Sequence, residues 1–248
     1  MARINVLDKH TAELIAAGEV VERPAAVVKE LVENSIDAGA NAVTVEIKDG
    51  GNTFIRVTDN GSGIHPDDIR TAFLRHATSK IQKEEDLNAI LTLGFRGEAL
   101  ASICAVAKVE LLTRMPDREF GIRYVINGGE EVEYDEAGCA LGTTIVVRDL
   151  FYNTPARLKF LKKVNTEANA VTAVLERIAV SHPEVSIKLI KDGKTTMNTP
   201  GDNDLKSAVF SVFGKDFSDA LLPVDYTLNG VAVTGFVTKP VCSRKNRN

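Results

Sequence analysis

No run of apolar residues in this 248-residue chain approaches the roughly 20 needed to cross a bilayer. The N-terminus, Met-Ala-Arg-Ile-Asn-Val-Leu-Asp, has no signal-peptide core either. The expectation is a cytoplasmic protein with no membrane partner. Cysteine is scarce: Cys104, Cys139 and Cys242 stand far apart and share no metal-type spacing with His10, His65, His76 and His182. They read as ordinary thiols of a reducing compartment. An excess of positive charge is missing as well, with 30 Lys and Arg against 34 Asp and Glu and a pI near 5.7. Any contact with nucleic acid therefore needs a local basic patch or an electropositive partner subunit. Repeats and low-complexity tracts are absent. So is Gly-x-x-x-x-Gly-Lys-Ser/Thr, which excludes a P-loop as phosphate holder.

What is present is a globular composition, 44% hydrophobic and 26% charged, long enough for one large or two modest domains. Thr11 to Val21 reads as a first helix, and Glu22-Arg23-Pro24 breaks it and starts a second, which Gly39 stops. Val43, Val45 and Ile47 alternate with polar residues as in a half-buried strand, and Asp49-Gly50-Gly51-Asn52 turns into a second strand over Phe54 to Thr58. Further elements are a helix from Pro66 to about Phe73 and a small-residue helix from Glu98 to Ala107. Strands follow at Val109 to Thr113, Arg123 to Ile126 and Thr143 to Arg148. A helix over Glu167 to Ser181 and strands at Val185 to Ile190 and Val231 to Thr238 complete the pattern. Without strict βαβ alternation, an α+β sandwich with helices on one face of a mixed sheet fits best. Thr199-Pro200-Gly201-Asp202 looks like a linker, which divides the chain into 1–202 and 203–248. The stop at Asn248, directly after a strand-like run, points to a fragment.

Three groups of residues carry chemistry. At 100° per residue, Glu30, Asn34 and Asp37 form one stripe of the second helix, opposite Val28, Leu31, Val32 and Ile36. Such a stripe is either a solvated face or a place to hold a divalent cation and activate a water. Period-two counting from Ile55 and Val57 puts Asp59 in the inward phase, where a buried carboxylate needs donors. Asp59 either caps its own turn, Asp59-Asn60-Gly61-Ser62-Gly63, or awaits a ligand amine such as that of adenine. Gly61 and Gly63 would let backbone approach a flat ligand, with Ile64 as an apolar contact. Finally, Gly94-Phe95-Arg96-Gly97 leads straight into a helix whose first amides, with Lys80 and Arg96, suit an anion. Alone it is equally a plain turn. Together the groups describe metal and water, base, and phosphate.

These residues resemble the MutL mismatch-repair ATPases. The likeness runs through Glu30 to Gly39, Asp59 to Ile64, Ala77-Thr78-Ser79-Lys80-Ile81 and Gly94 to Leu100. It extends to Ile15-Ala-Ala-Gly-Glu-Val-Val-Glu-Arg-Pro24 and Asp149-Leu-Phe-Tyr-Asn-Thr-Pro-Ala-Arg157. The resemblance implies the Bergerat (GHKL) nucleotide fold, shared with gyrase B, heat-shock chaperone ATPases and sensor histidine kinases, with ATP and Mg2+ as cofactors. It implies Glu30 as general base and Asn34 as the Mg2+ ligand, with Asp37 in the same nucleotide site. Asp59 would receive the adenine amine, aided by Gly63, Ile64 and Thr143. Thr78, Ser79, Lys80, Gly94, Phe95, Arg96, Gly97, Ala99 and Leu100 would surround the phosphates under a lid from about Phe73 to Gly97. It further implies that residues 203–248 begin a ribosomal-protein-S5-like domain, cut short before the lysine that would reach the γ-phosphate.

The implied role is an ATP-dependent switch of mismatch repair, partnered by a MutS-type sensor, by a second copy of the chain on ATP binding, and by DNA without sequence preference. Arg157, Lys159, Lys162, Lys163, Lys239, Arg244, Lys245 and Arg247 are the cations available for DNA phosphates. The alternatives are a topoisomerase subunit or chaperone of the same fold, or a nucleotide-binding scaffold without turnover.

Overall fold

The computed structural model describes residues 6, 8, 14, 15, 17, 18, 20–81, 83–90 and 92–242. An eight-stranded sheet in the order β5-β4-β3-β6-β2-β1-β7-β8 forms the body. Its strands are β1 (Ala42–Lys48), β2 (Phe54–Asp59), β3 (Lys108–Arg114), β4 (Gly121–Asn127), β5 (Glu130–Ala137), β6 (Gly142–Arg148), β7 (Ser186–Lys191) and β8 (Lys194–Asn198). Among the described residues only the β1–β7 pair is parallel, so the sheet is mixed as expected.

Register aligns the inward side chains into rows across the strands. One row runs Leu189, Val45, Val57, Ile145, Leu111, Tyr124, Tyr134. Because successive side chains alternate faces, this row and its neighbours two residues away build one continuous apolar surface. The helices α1 (Pro24–Asp37), α3 (Ala99–Val106) and α5 (Val164–Ser181) cover it, with α1 touching both others. α2 (Pro66–Ala72) sends Ile69 into the same core. α1 forms where Pro24 takes the first helical position and Val27, Val28, Leu31 and Val32 supply a buried face. It ends at Ala38, followed by Gly39 at φ +75°.

Several boundaries move, each for a local reason. Of the helix expected over Thr11 to Val21, residues 14, 15, 17, 18 and 20 are helical, Val21 is buried just past its end, and the rest lie outside the described residues, as do Arg244, Lys245 and Arg247. The Asp49 connection is a turn of 3-10 helix, Asp49–Gly51, joining antiparallel β1 and β2. α5 starts at Val164, not Glu167, because Glu167 is buried in its first turn. There it accepts the Lys162 amide at 3.0 Å and Arg23 Nε and Nη2 at 3.0 and 2.9 Å. The Thr199–Asp202 stretch is irregular but packed: Thr199 is buried and its Oγ1 accepts the Ile187 amide.

Beyond it, α4 (Pro155–Leu158) being a short turn earlier in the chain, α6 (Leu205–Phe213) lies against α5 and β8, followed by α7 (Lys215–Ser218). β9 (Leu221–Leu228) and β10 (Val231–Thr238) pair as a separate two-stranded sheet, and Tyr226, Leu228, Val231 and Val233 are exposed on it.

Candidate functional site

All three groups of site residues open onto one cleft of ≈ 1050 Å³, floored by α1, β2 and β6 and walled by the segment from His76 to Leu100. Glu30, Asn34 and Asp37 line it from α1. Asp59, Gly63, Ile64 and Thr143 line it from the sheet side. Thr78, Ser79, Lys80, Gly94, Phe95, Arg96, Gly97, Ala99 and Leu100 line it from the wall. The helix stripe is therefore not a solvated face, and the sequence residues that seemed independent converge.

Asp59 ends β2 in the inward phase and is 8% exposed. Its Oδ1 accepts the amides of Gly61 at 2.9 Å and Thr143 at 3.1 Å, and its Oδ2 accepts the hydroxyl of Ser35 at 2.8 Å. Burial pushes its pKa up from the ordinary carboxylate value, against the pull of those three donors. Beside it, Thr113 of β3 is buried. Its hydroxyl accepts the Ile64 amide at 2.9 Å and meets Thr143 Oγ1 at 3.1 Å, so it ties the glycine loop to the sheet. Gly63 sits at φ +72°, and a Cβ there would stand 2.6 Å from the Arg114 carbonyl oxygen, so only glycine lets the loop lie this close.

On α1, Glu30 faces Lys29 while Asn34 and Asp37 share Lys80. Glu30 is half-buried at the cleft, with Lys29 Nζ 3.3 Å from its Oε1, and the same ammonium reaches Glu33 Oε2 at 2.8 Å. Asn34 Oδ1 accepts a hydrogen bond from Lys80 Nζ at 2.9 Å. Asp37 is the most engaged: its carboxylate accepts from Lys80 Nζ at 2.6 Å, the Leu93 amide at 2.9 Å and the Gly94 amide at 3.1 Å. Burial alone would raise its pKa, but these donors outweigh burial and hold the carboxyl below its ordinary value. Asp37 thus fastens the wall segment to α1 at two points, Lys80 and the Leu93–Gly94 amides, and Asn34 shares the hold on Lys80.

At the far end of the wall, α3 begins at Ala99 with no side chain capping its first amides. That leaves the helix start electropositive and aimed along the cleft residues Ala99 and Leu100. Gly97, at φ +62°, lies so close to Ala77 that a Cβ would come within 2.4 Å of the Ala77 carbonyl oxygen. The two motifs Ala77–Lys80 and Gly94–Gly97 are therefore one packed unit.

Of the basic residues proposed for DNA, Arg157 turns inward: its Nη2 donates to the carbonyls of Leu14 and Ile15 at 3.0 and 3.1 Å. Lys159, Lys162, Lys163 and Lys239 are exposed. Two contributors escaped the sequence reasoning. Thr113 left a signal, since Val109, Leu111 and Thr113 share the inward phase of β3 and a polar residue in that phase asks for a partner. Ser35 left none, because its importance depends on which strand end lies beneath α1.

Residues 22–132 match the family described as histidine kinase-, DNA gyrase B-, and HSP90-like ATPase. Along all of its residues the chain is 52% identical to the DNA mismatch repair protein MutL of Agathobacter rectalis and 51% identical to that of Symbiobacterium thermophilum. It spans 38% and 39% of the lengths of those relatives. Among solved structures, the Aquifex aeolicus MutL ATPase domain complexed with ADP superposes with a TM-score of 0.72 at 34% identity, over 89% of this chain and 78% of that one. A further crystal structure, the N-terminal domain of a DNA repair protein, superposes with a TM-score of 0.76 at 29% identity, over 95% of this chain and 74% of that one. The agreement of sequence along the whole chain with shape across the sheet, helices and cleft leaves one assignment: the chain belongs to the MutL family of DNA mismatch repair proteins.

Proposed function

We propose that this chain is the nucleotide-driven part of a mismatch-repair switch, binding and slowly hydrolysing Mg-ATP to couple mismatch recognition to later repair factors. The observation that carries this reading is Asp59. It is a buried carboxylate with unspent acceptor capacity, set in the same cleft as Glu30, Asn34 and an uncapped helix start. Donors from the protein occupy part of the carboxylate, and the exocyclic amine of adenine supplies a further one. The surroundings of Gly63 and Ile64 then suit the flat ring.

In this reading the first amides of α3, at Ala99 and Leu100, hold phosphate oxygens with Gly97, Arg96 and Lys80, while Thr78, Ser79, Gly94 and Phe95 close over them. Glu30 orients a water and accepts its proton. Asn34 suits Mg2+: its Oδ1 already faces a cation, the Lys80 ammonium, and Mg2+ on nucleotides takes only one or two protein ligands. Among the described residues no cluster of three or more His, Cys, Asp and Glu offers an alternative cage. Mg2+, when bound, would neutralise charge on the phosphates. Lys80 serves both states, leaving Asn34 and Asp37 to reach phosphate. Asp37 then acts on the wall segment, whose amides it holds.

The family further suggests a cytoplasmic protein that meets a MutS-type sensor, DNA without sequence preference and a second copy of itself on ATP binding. Exposed Lys159, Lys162 and Lys163 support the DNA contact, with Arg157 reassigned to anchoring the N-terminal helical turn. Residues 203–248 are read as the opening of an S5-like unit, supported by the separate β9–β10 sheet and its exposed apolar residues. The reading is tested by Glu30→Ala in the full-length protein. ATP binding should persist while hydrolysis falls by roughly 100-fold, and unchanged turnover would remove Glu30 from the mechanism. A scaffold that never hydrolyses would show no turnover in the parent either.

A further inference from the structure

Ser35 is buried, 4% exposed, and lies on α1 directly after Asn34 with its hydroxyl turned toward the sheet and not toward solvent. It has one hydrogen and two acceptors within reach, Leu31 O at 3.0 Å and Asp59 Oδ2 at 2.8 Å. A charged acceptor makes the stronger bond, so the hydrogen belongs to Asp59 while that residue is ionised.

An ionised carboxylate offers about four lone-pair positions. On Asp59 the two of Oδ1 are filled by the amides of Gly61 and Thr143, and one of Oδ2 is filled by Ser35. Among donors from the described residues, one position remains open, on Oδ2. Building on the ATP reading above, we infer that Ser35 is a specificity-determining positioning residue: its hydroxyl fixes Oδ2 as a pure acceptor with a single open position, which selects a purine carrying a 6-amino donor.

The inference follows from what each partner holds. Among the described residues Oδ1 is gripped by the loop and by β6 and Oδ2 only by Ser35, so removing the hydroxyl leaves the oxygen with the open position without that donor. Burial already disfavours the charged form of Asp59, and the loss of a donor disfavours it further. A protonated Oδ2 is itself a donor. It would then suit the 6-oxo acceptor of a guanine-type ring as well as an amine. The selectivity of the base pocket therefore depends on a side chain of the helix that carries Glu30 and Asn34, one residue from the latter.

The test compares Ser35→Ala with wild type in the full-length protein, measuring by calorimetry the affinities for ATP, for purine riboside triphosphate, which lacks the 6-amino group, and for GTP. In wild type ATP should bind at least about tenfold more tightly than purine riboside triphosphate. In Ser35→Ala that ratio should collapse toward unity, chiefly through weaker ATP binding, and discrimination against GTP should shrink with it. An equal loss for ATP and purine riboside triphosphate would make Ser35 merely structural and overturn the inference. So would a ratio that stays at its wild-type value. If wild type itself shows no preference between those two nucleotides, the adenine reading of Asp59 fails, and the role of Ser35 fails with it.

Discussion

Asp59 shows how burial and hydrogen bonding oppose each other in a single residue. Its folded pKa lies above the ordinary value of 3.8, so between the two values the native state binds more protons than the unfolded chain. Its contribution to stability is then fully present below that ordinary value and is lost as pH rises through the folded pKa. Asp59→Asn removes the ionisation while keeping the bonds: the amide oxygen accepts from Gly61 and Thr143, and the amide nitrogen donates to Ser35 Oγ, which turns to Leu31 O. Urea denaturation at a series of pH values should show Asp59→Asn becoming more stable relative to wild type as pH rises from 4 toward 7. A difference that does not change with pH would contradict the burial argument. The inward phase of Asp59 was legible from Ile55 and Val57 alone, since a strand leaves no choice of face. Of its donors the Gly61 amide was legible too, as the cap of the turn that follows, whereas Ser35 and Thr143 were not, being 24 and 84 residues away in the chain.

At the scale of elements, the wall of the cleft hangs on α1 through Asp37, which holds Lys80 at one end and the Leu93 and Gly94 amides at the other. Asp37→Ala should free the Leu93 and Gly94 amides and leave Lys80 held by Asn34 alone. In the nucleotide-free protein, limited proteolysis within residues 80–94 should speed up several-fold, and exchange of the two amides should accelerate. Unaltered cleavage would show that the wall is held by something else. Gly97→Ala should act on the same wall from the other side. A Cβ there meets the Ala77 carbonyl oxygen at 2.4 Å and φ is +62°, so a cost of about 1–3 kcal/mol in stability is expected by thermal or urea denaturation, together with weaker phosphate binding.

Elements with a strong apolar period were legible: α1, β1, β2 and α5 appear within a few residues of their expected bounds. β5 was not, since Glu-Glu-Val-Glu-Tyr-Asp-Glu-Ala is an exposed, acidic edge strand in which only Tyr134 packs on a neighbouring ring. β8 and β9 were missed for the same physical reason, as strands mostly exposed to solvent carry little alternation.

At the scale of the molecule, the cleft depends on how α1 is seated, and an ion pair whose carboxylate is buried and whose guanidinium is partly exposed seats it. Glu167 of α5 is 1% exposed and takes two hydrogen bonds from Arg23, the residue just before α1. Removing one partner leaves a buried charge unpaired, so Arg23→Ala should cost about 3 kcal/mol in urea unfolding. It should also weaken nucleotide binding, although Arg23 does not line the cleft. A loss below ~0.5 kcal/mol, the size typical of surface changes, would contradict this seating. No local pattern in the sequence relates Arg23 to a residue 144 positions away, whereas the mixed-sheet architecture followed from the order of elements. The stripe, the aspartate and the glycine loop were legible in sequence as the metal-and-water, base and phosphate parts of one site, and the fold shows the physical cause of their convergence, three neighbouring elements opening onto one space.

The central claim is that this space binds ATP with Asp59 as the acceptor for its base. Calorimetric titration of Mg-ATP into the full-length protein and into Asp59→Ala tests it most directly. The account predicts saturable binding in the wild type and an affinity at least about tenfold lower in a folded Asp59→Ala. Equal affinities in the two proteins, or no binding in the wild type, would contradict it.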